Sequence, residues 1–195
     1  NVARRSDRPT INDYIDRIVH GFVEVHGDRS YGDDRSVIAG LGQIAGQGVA
    51  IVGLGAAVGH NEDANSGSQI SPEGLRKSRR LMLIASKFGL PVISFVDTAW
   101  LANTLDAEHR GLGYAIATAT ATMLEVQSPT IAVIVGEGGS EGALALVAAD
   151  KILMMEYATL SPISPEGAAM LFYADQSRSQ DAAEDLRLTA MDCYE

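Results

Sequence analysis

Two predominantly apolar runs without apolar–polar alternation, PVISFVDT at Pro91–Thr98 and PTIAVIVG at Pro129–Gly136, each stand behind a segment whose apolar residues recur at helical intervals. A strand that does not alternate apolar with polar residues is buried on both faces, and burial on both faces requires helices above and below the sheet. The pattern therefore predicts an α/β fold with a largely parallel sheet. Other segments extend it. Thr10–Val25 reads as a helix capped by Thr10, with Ile11, Tyr14, Ile15, Ile18, Val19 and Phe22 on one face. Two glycine-studded apolar runs meet around Gly46-Gln47 and read as an antiparallel hairpin. From Ser71 a helix is fully punctuated, with Pro72 in its first turn and Gly89 after its last. Asp106 is expected to cap one long helix to about Gln127, the loop after Gly136 to open a helix to about Ala149, KILMME to form a short strand, and Ser164 to start a further helix.

At 195 residues the chain has the length of one domain, with residues 1–195 expected to form it. The closing stretch AAEDLRLTAMDCYE reads as an amphipathic helix without a C-cap, so a truncated C-terminus is expected. A formal net charge of −10 argues against a nucleic-acid partner, which would call for clustered Lys and Arg. The single cysteine, Cys193, excludes a disulfide framework and a cysteine-based zinc site, and no metal is expected. No apolar stretch is long enough to span a bilayer or to lead a secretion signal, so a cytoplasmic setting without membrane contact is expected.

The stretch GEGGSEGALALVAAD, Gly136–Asp150, carries the chemistry. As a dinucleotide fingerprint it would need its third glycine at position 141, where Glu141 stands. As a nucleophile elbow, Gly138 to Gly142 satisfies G-x-S-x-G around Ser140, yet all four histidines, His20, His26, His60 and His109, precede the serine, and the hydrolase order needs one after it. Simple close packing of helix on strand is a further reading. A last one takes the free backbone donors of a helix N-terminus, which suit an oxyanion or an enolate. Gly139 fits this role because no side chain would keep a ligand oxygen from its N–H. A second donor is expected from the end of VISFVDT, where Asp97 and Thr98 lead into AWLANTLDAEHRG.

The motifs RPTINDYID, HGDRSYGDD, SPEGLRKSRRLM, FVDT, AEHRG, GEGGSEGALA and SPEG follow one another over nearly the whole chain. In them the sequence resembles the α-type carboxyltransferase subunit of bacterial acetyl-CoA carboxylase, a member of the crotonase superfamily. The resemblance implies a crotonase-like fold of repeated ββα units and a hetero-oligomer with a β-type carboxyltransferase subunit. It also implies carboxybiotin, carried on a biotin carboxyl carrier protein, as co-substrate, and an acyl-CoA as acceptor. Carboxyl would pass to the α-carbon of acetyl-CoA, with paired backbone N–H groups stabilising the biotin ureido oxygen and the thioester enolate. By position the donors on this chain would be Gly139 and Leu101, with Gly138 shaping the loop.

The sequence departs from that family where function would sit. DTAWLANT lacks the two Pro-Gly turns of the family, and Trp100 stands where it would fill the biotin pocket. Glu141 replaces a small residue, and GHNEDANSGSQ has no Lys or Arg where the family is basic. Two alternatives stay open: a biotin-independent malonyl-type thioester decarboxylase, and a non-catalytic partner that completes a β-type subunit. His109, with Glu108 and Arg110, reads equally as a solvated helix face or as part of substrate binding, with His109 able to act as acid or base near neutral pH. Arg76, Lys77, Arg79 and Arg80 form a basic cluster that reads as an exposed helix face or, with Arg76 foremost, as a phosphate-binding group. Asp28 and Arg29 are expected to fix their loop by ion pairing.

Overall fold

The computed structural model describes residues 2–5, 7–55, 69–98 and 104–194. A seven-stranded mixed sheet runs β1 (His20–Glu24), β2 (Val37–Ile44), β3 (Gln47–Leu54), β4 (Val92–Thr98), β5 (Thr130–Gly139), β6 (Lys151–Met154), with β7 (Thr159–Ser161) also on β5. β1, β2 and β3 pair antiparallel, while β3, β4, β5, β6 and β7 pair parallel. The expected buried strands are thus the parallel centre. Successive residues in them face opposite sides. Val92, Val96 and Ile134 join α2 (Pro72–Phe88), α4 (Leu112–Glu125) and α5 (Ser140–Val147) in the main core. Phe95 and Val135 instead pack with Ile11 and Ile15 of α1 (Ile11–Ile18). Helical cover on both faces is the arrangement that strands without apolar–polar alternation require. ββα units occur as β2-β3-α2 and as β6-β7-α6, α6 being Pro165–Tyr173.

Several expected boundaries are corrected. The first helix ends at Ile18, because Gly21 takes the left-handed region (φ 60°) and the β-branched VHGFVEV stretch continues as edge strand β1. The hairpin turn lies one residue earlier than expected, on Ala45 and Gly46, both at positive φ, the geometry that matches strand twist. In place of one helix from Asp106, α3 (Leu105–His109) is capped by Thr104 and separated from α4 by left-handed Gly111. β5 continues through Gly139 because β7 pairs with residues 137–139, and β7 itself is too short to leave a periodic signal. The expected C-terminal helix is two, α7 (Ser179–Asp185) and α8 (Ala190–Tyr194), because Arg187 is left-handed and Thr189 starts a new cap with Asp192.

The repeated SPEG is a helix-start device, as expected. Ser71 accepts from the Gly74 N–H and Ser164 from the Gly167 N–H, each with proline in the first turn. The edge strand β1 lies so close to β2 that a Cβ on Gly40 would stand 2.4 Å from the Phe22 ring and 2.6 Å from the Val23 carbonyl oxygen. A backbone carbonyl cannot swing aside, so Gly40→Ala is expected to cost about 1–3 kcal/mol in urea denaturation.

Candidate active site

In an open α/β sheet the carboxyl ends of parallel strands are where ligands bind. Here β4 and β5 end side by side, and β5 delivers Gly138 and Gly139 directly into α5. Gly138 is buried, and a Cβ there would stand 3.0 Å from Leu160 and 3.3 Å from the Thr159 carbonyl oxygen of β7, tighter than ordinary contact. Gly139 is the N-cap of α5, extended at φ −107°, and no side chain caps that helix end. Both glycines line a cleft of about 500 Å³ whose other walls include Arg4, Ser161, Ser164 and Glu166.

Arg4, in a 3-10 turn over residues 2–4, crosses this cleft. Its guanidinium donates to Glu137 and to Glu166, each at 2.7 Å. The hydrogen bond to Glu166 raises the Arg4 pKa further above its ordinary value, and the same bond holds the Glu166 carboxyl below the usual range. Asp97, at the end of β4, forms a two-point ion pair with Arg8 and accepts the Glu137 N–H at 3.1 Å. None of Arg4, Arg8, Glu137 and Glu166 stood out in the sequence. Asp97 left a partial signal, being a charge at the end of a buried run, which needs a partner.

The residues singled out in the sequence divide into three groups. Gly138 and Gly139 lie together on the cleft. Trp100 and Leu101, with His60 and the GHNEDANSGSQ segment up to residue 68, lie outside the described residues. The rest are described but do not join Gly138 and Gly139 as a cleft wall. Glu141 is exposed in the first turn of α5, and His109 is exposed in the last turn of α3. Arg76 has internal partners: Nε donates to Asp28 at 2.7 Å, Nη2 to Glu73 and Nη1 to the Arg110 carbonyl, both at 2.9 Å. The basic cluster is not an exposed helix face. Lys77 is 1% exposed and its Nζ donates to Asp33 and to the Asp34 carbonyl. Asp28 and Asp33 of HGDRSYGDD fold onto α2 and pair with Arg76 and Lys77. Asp28 is ion-paired as expected, with Arg76 as its partner.

A family model described as acetyl co-enzyme A carboxylase carboxyltransferase-like matches residues 1–195. The chain belongs to that family. It is 45% identical over 194 residues to the acetyl-coenzyme A carboxylase carboxyl transferase subunit alpha of Ruminiclostridium cellulolyticum, covering 98% of this chain and 74% of the relative. It is 46% identical over 195 residues to the same subunit of Zymomonas mobilis, covering 99% and 62%. The Methylobacterium sp. subunit alpha is 45% identical over 193 residues, covering 98% and 61%. The chain thus spans between about three fifths and three quarters of the length of these relatives. Solved structures of a transcarboxylase and a carboxylase subunit share the fold. The transcarboxylase 12S core, with methylmalonyl-coenzyme A and methylmalonic acid bound, superposes with a TM-score of 0.79 at 18% identity, over 97% of this chain and 38% of that one. The beta subunit of P. aeruginosa geranyl-CoA carboxylase does so with a TM-score of 0.75 at 15% identity, over 95% and 36%. The α/β, crotonase-like expectation and the family assignment from the motifs both hold, and the three sequence relatives named above are carboxyl transferase subunits, which favours neither the decarboxylase nor the non-catalytic alternative. No helix among the described residues is long and apolar enough to cross a membrane.

Proposed function

We propose that residues 1–195 form one carboxyltransferase domain of the α-type subunit, which works with a β-type subunit in the cytoplasm. The pair transfers carboxyl from carboxybiotin, presented by a biotin carboxyl carrier protein, to the α-carbon of an acyl-CoA, with acetyl-CoA as the first candidate. The observation that carries this reading is the match of the whole chain to the family, with Gly138 and Gly139 set where a strand end meets a helix start.

The chemistry needs negative charge stabilised twice. When the N–CO₂ bond of carboxybiotin breaks, charge develops on the ureido oxygen. When the ureido anion so formed takes up the α-proton of the acceptor, charge develops on the thioester oxygen, and the enolate carbon then adds the released CO₂. The N–H of Gly139, aided by the positive end of α5, is the donor on this chain, with the amide of Leu101 as its partner. Preorganised backbone donors suit this task because they need no reorganisation as the charge appears. Gly138 keeps the strand close to β7. In this reading Glu141, in the first turn of α5, adds negative charge near the donor, and Trp100 is the side chain that reshapes the biotin pocket.

The test combines the full chain with its β-type partner, carboxybiotin and acetyl-CoA, and follows malonyl-CoA by mass spectrometry. Malonyl-CoA formation by the pair, and little from either subunit alone, is the expected result. Loss of carboxyl from malonyl-CoA without biotin, in the absence of transfer, would favour the decarboxylase instead.

A further inference from the structure

The first glycine of GEGGS does something different from the other two. β4 and β5 pair in step from Val92↔Thr130 to Val96↔Ile134, and pairing resumes at Thr98↔Gly138. Between those points β5 advances further than β4, so the ladder is interrupted where the glycine loop begins, as at a β-bulge. Asp97 lies at the interruption. Its Oδ1 accepts the Glu137 N–H at 3.1 Å and an Arg8 N–H at 2.6 Å, and its Oδ2 stands 2.6 Å from the second Arg8 terminal nitrogen. A side-chain carboxylate thus supplies an acceptor to the backbone of the bulge. The ion pair is well sheltered, with the side chains of Arg8 and Asp97 only 25% and 12% exposed. A Cβ on Gly136 would stand 2.1 Å from Asp97 Oδ1 and 2.6 Å from Arg8 Nη1. Gly136 therefore makes room for the ion pair.

We propose that Asp97, held by Arg8, is a positioning residue for carboxyl transfer. It fixes the Glu137 amide, and with it the direction in which the chain presents Gly139 two residues later. Stability alone is a weak reason for such a pair, because desolvation offsets much of its attraction. What an ion pair with a fork geometry adds is a defined direction. An oxyanion donor depends on direction, since small misplacements of a reacting group cost rate. The proposal rests on the reading of Gly139 as an oxyanion donor.

The experiment uses the full chain with its β-type partner and two readouts: steady-state carboxyl transfer, and amide hydrogen exchange followed by mass spectrometry. Arg8→Ala is expected to lower kcat about 10-fold while KM for the acyl-CoA stays within about 2-fold. Exchange should quicken in peptides covering 134–139 and not in the β2–β3 hairpin. Arg8→Lys, which keeps the charge, should recover part of kcat, and Gly136→Ala should behave like Arg8→Ala. Gly40→Ala serves as a control that destabilises the sheet away from the clamp, and it should keep kcat. Unchanged exchange at 134–139 in Arg8→Ala would overturn the clamp. Faster exchange with unchanged kcat would overturn its part in catalysis. An inactive wild-type pair would remove the carboxyl-transfer reading and the catalytic claim with it, while the exchange data would still report whether Asp97 and Arg8 hold the loop.

Discussion

Replacing Gly139 by proline is expected to lower carboxyl transfer by about 100-fold or more, the loss measured when one oxyanion donor is removed from other enzymes. Proline has no N–H, so the donor disappears while the backbone path is retained as far as proline allows. Gly139 has φ −107°, about 40° from the value proline prefers. The thermal midpoint of the variant must therefore be read beside its rate, to separate a lost donor from a disturbed α5. The companion change is Ser140→Ala, expected to leave the rate within about 2-fold, since alanine keeps the backbone of the helix start and removes only the hydroxyl. The pair of variants discriminates sharply. If a folded Ser140→Ala enzyme is inactive, the G-x-S-x-G pattern is a nucleophile elbow after all and the backbone-donor reading fails. If Gly139→Pro folds and turns over normally, the donor lies elsewhere.

How far this site could be read from the sequence depends on how local its parts are. The central strands were legible because the physics that buries them acts on consecutive residues: Ile131–Val135 is apolar without a break, and Val92–Val96 is broken only by the small Ser94. The SPEG caps were legible for the same reason, each a contact between residues three apart. Helix ends decided by a left-handed residue were less so. Arg187 takes positive φ without being glycine, and Gly21 could have been accommodated in a helix at a modest cost. The clamp was out of reach. Arg8 and Asp97 are 89 residues apart, and nothing in RPT or FVDT says that they meet. Neither did any periodicity reveal that Arg4 would cross the cleft to reach Glu137 and Glu166, or that Arg76 and Lys77 would be drawn inward by Asp28 and Asp33 of HGDRSYGDD. The resemblance to a family was legible at a different level, through ordered motifs, and it located Gly138 and Gly139 without explaining Gly136.

Replacing Asp28 by alanine is expected to cost about 3–5 kcal/mol of stability, the penalty for leaving a buried charge network without one partner. The Asp28 side chain is fully buried. One oxygen accepts the N–H groups of Ser30, Tyr31 and Gly32 at 2.8–3.0 Å, and the other accepts from Arg76 at 2.7 Å. Burial by itself would raise the pKa. The amides of Ser30 and Tyr31, the Arg76 guanidinium and the Gly32 amide outweigh it and hold the group down to about 2. Asp33 is also brought to about 2, where burial is outweighed by the Lys77 ammonium and the Gly27 amide. A carboxyl whose folded pKa lies below its unfolded value near 3.9 binds fewer protons folded than unfolded. Its stabilisation is complete above the unfolded value and is lost as pH falls through about 2. Urea denaturation of the wild-type protein should therefore show stability falling between pH about 4 and 2. Asp28→Asn keeps an acceptor for the three amides but turns an NH₂ toward Arg76, so it should be less stable at pH 7 and lose less on acidification. Its acid limb should flatten without vanishing, because Asp33 still titrates against Lys77. A limb as steep as that of the wild type would mean that the proton is taken up elsewhere and that the HGDRSYGDD loop is not what acid releases from α2.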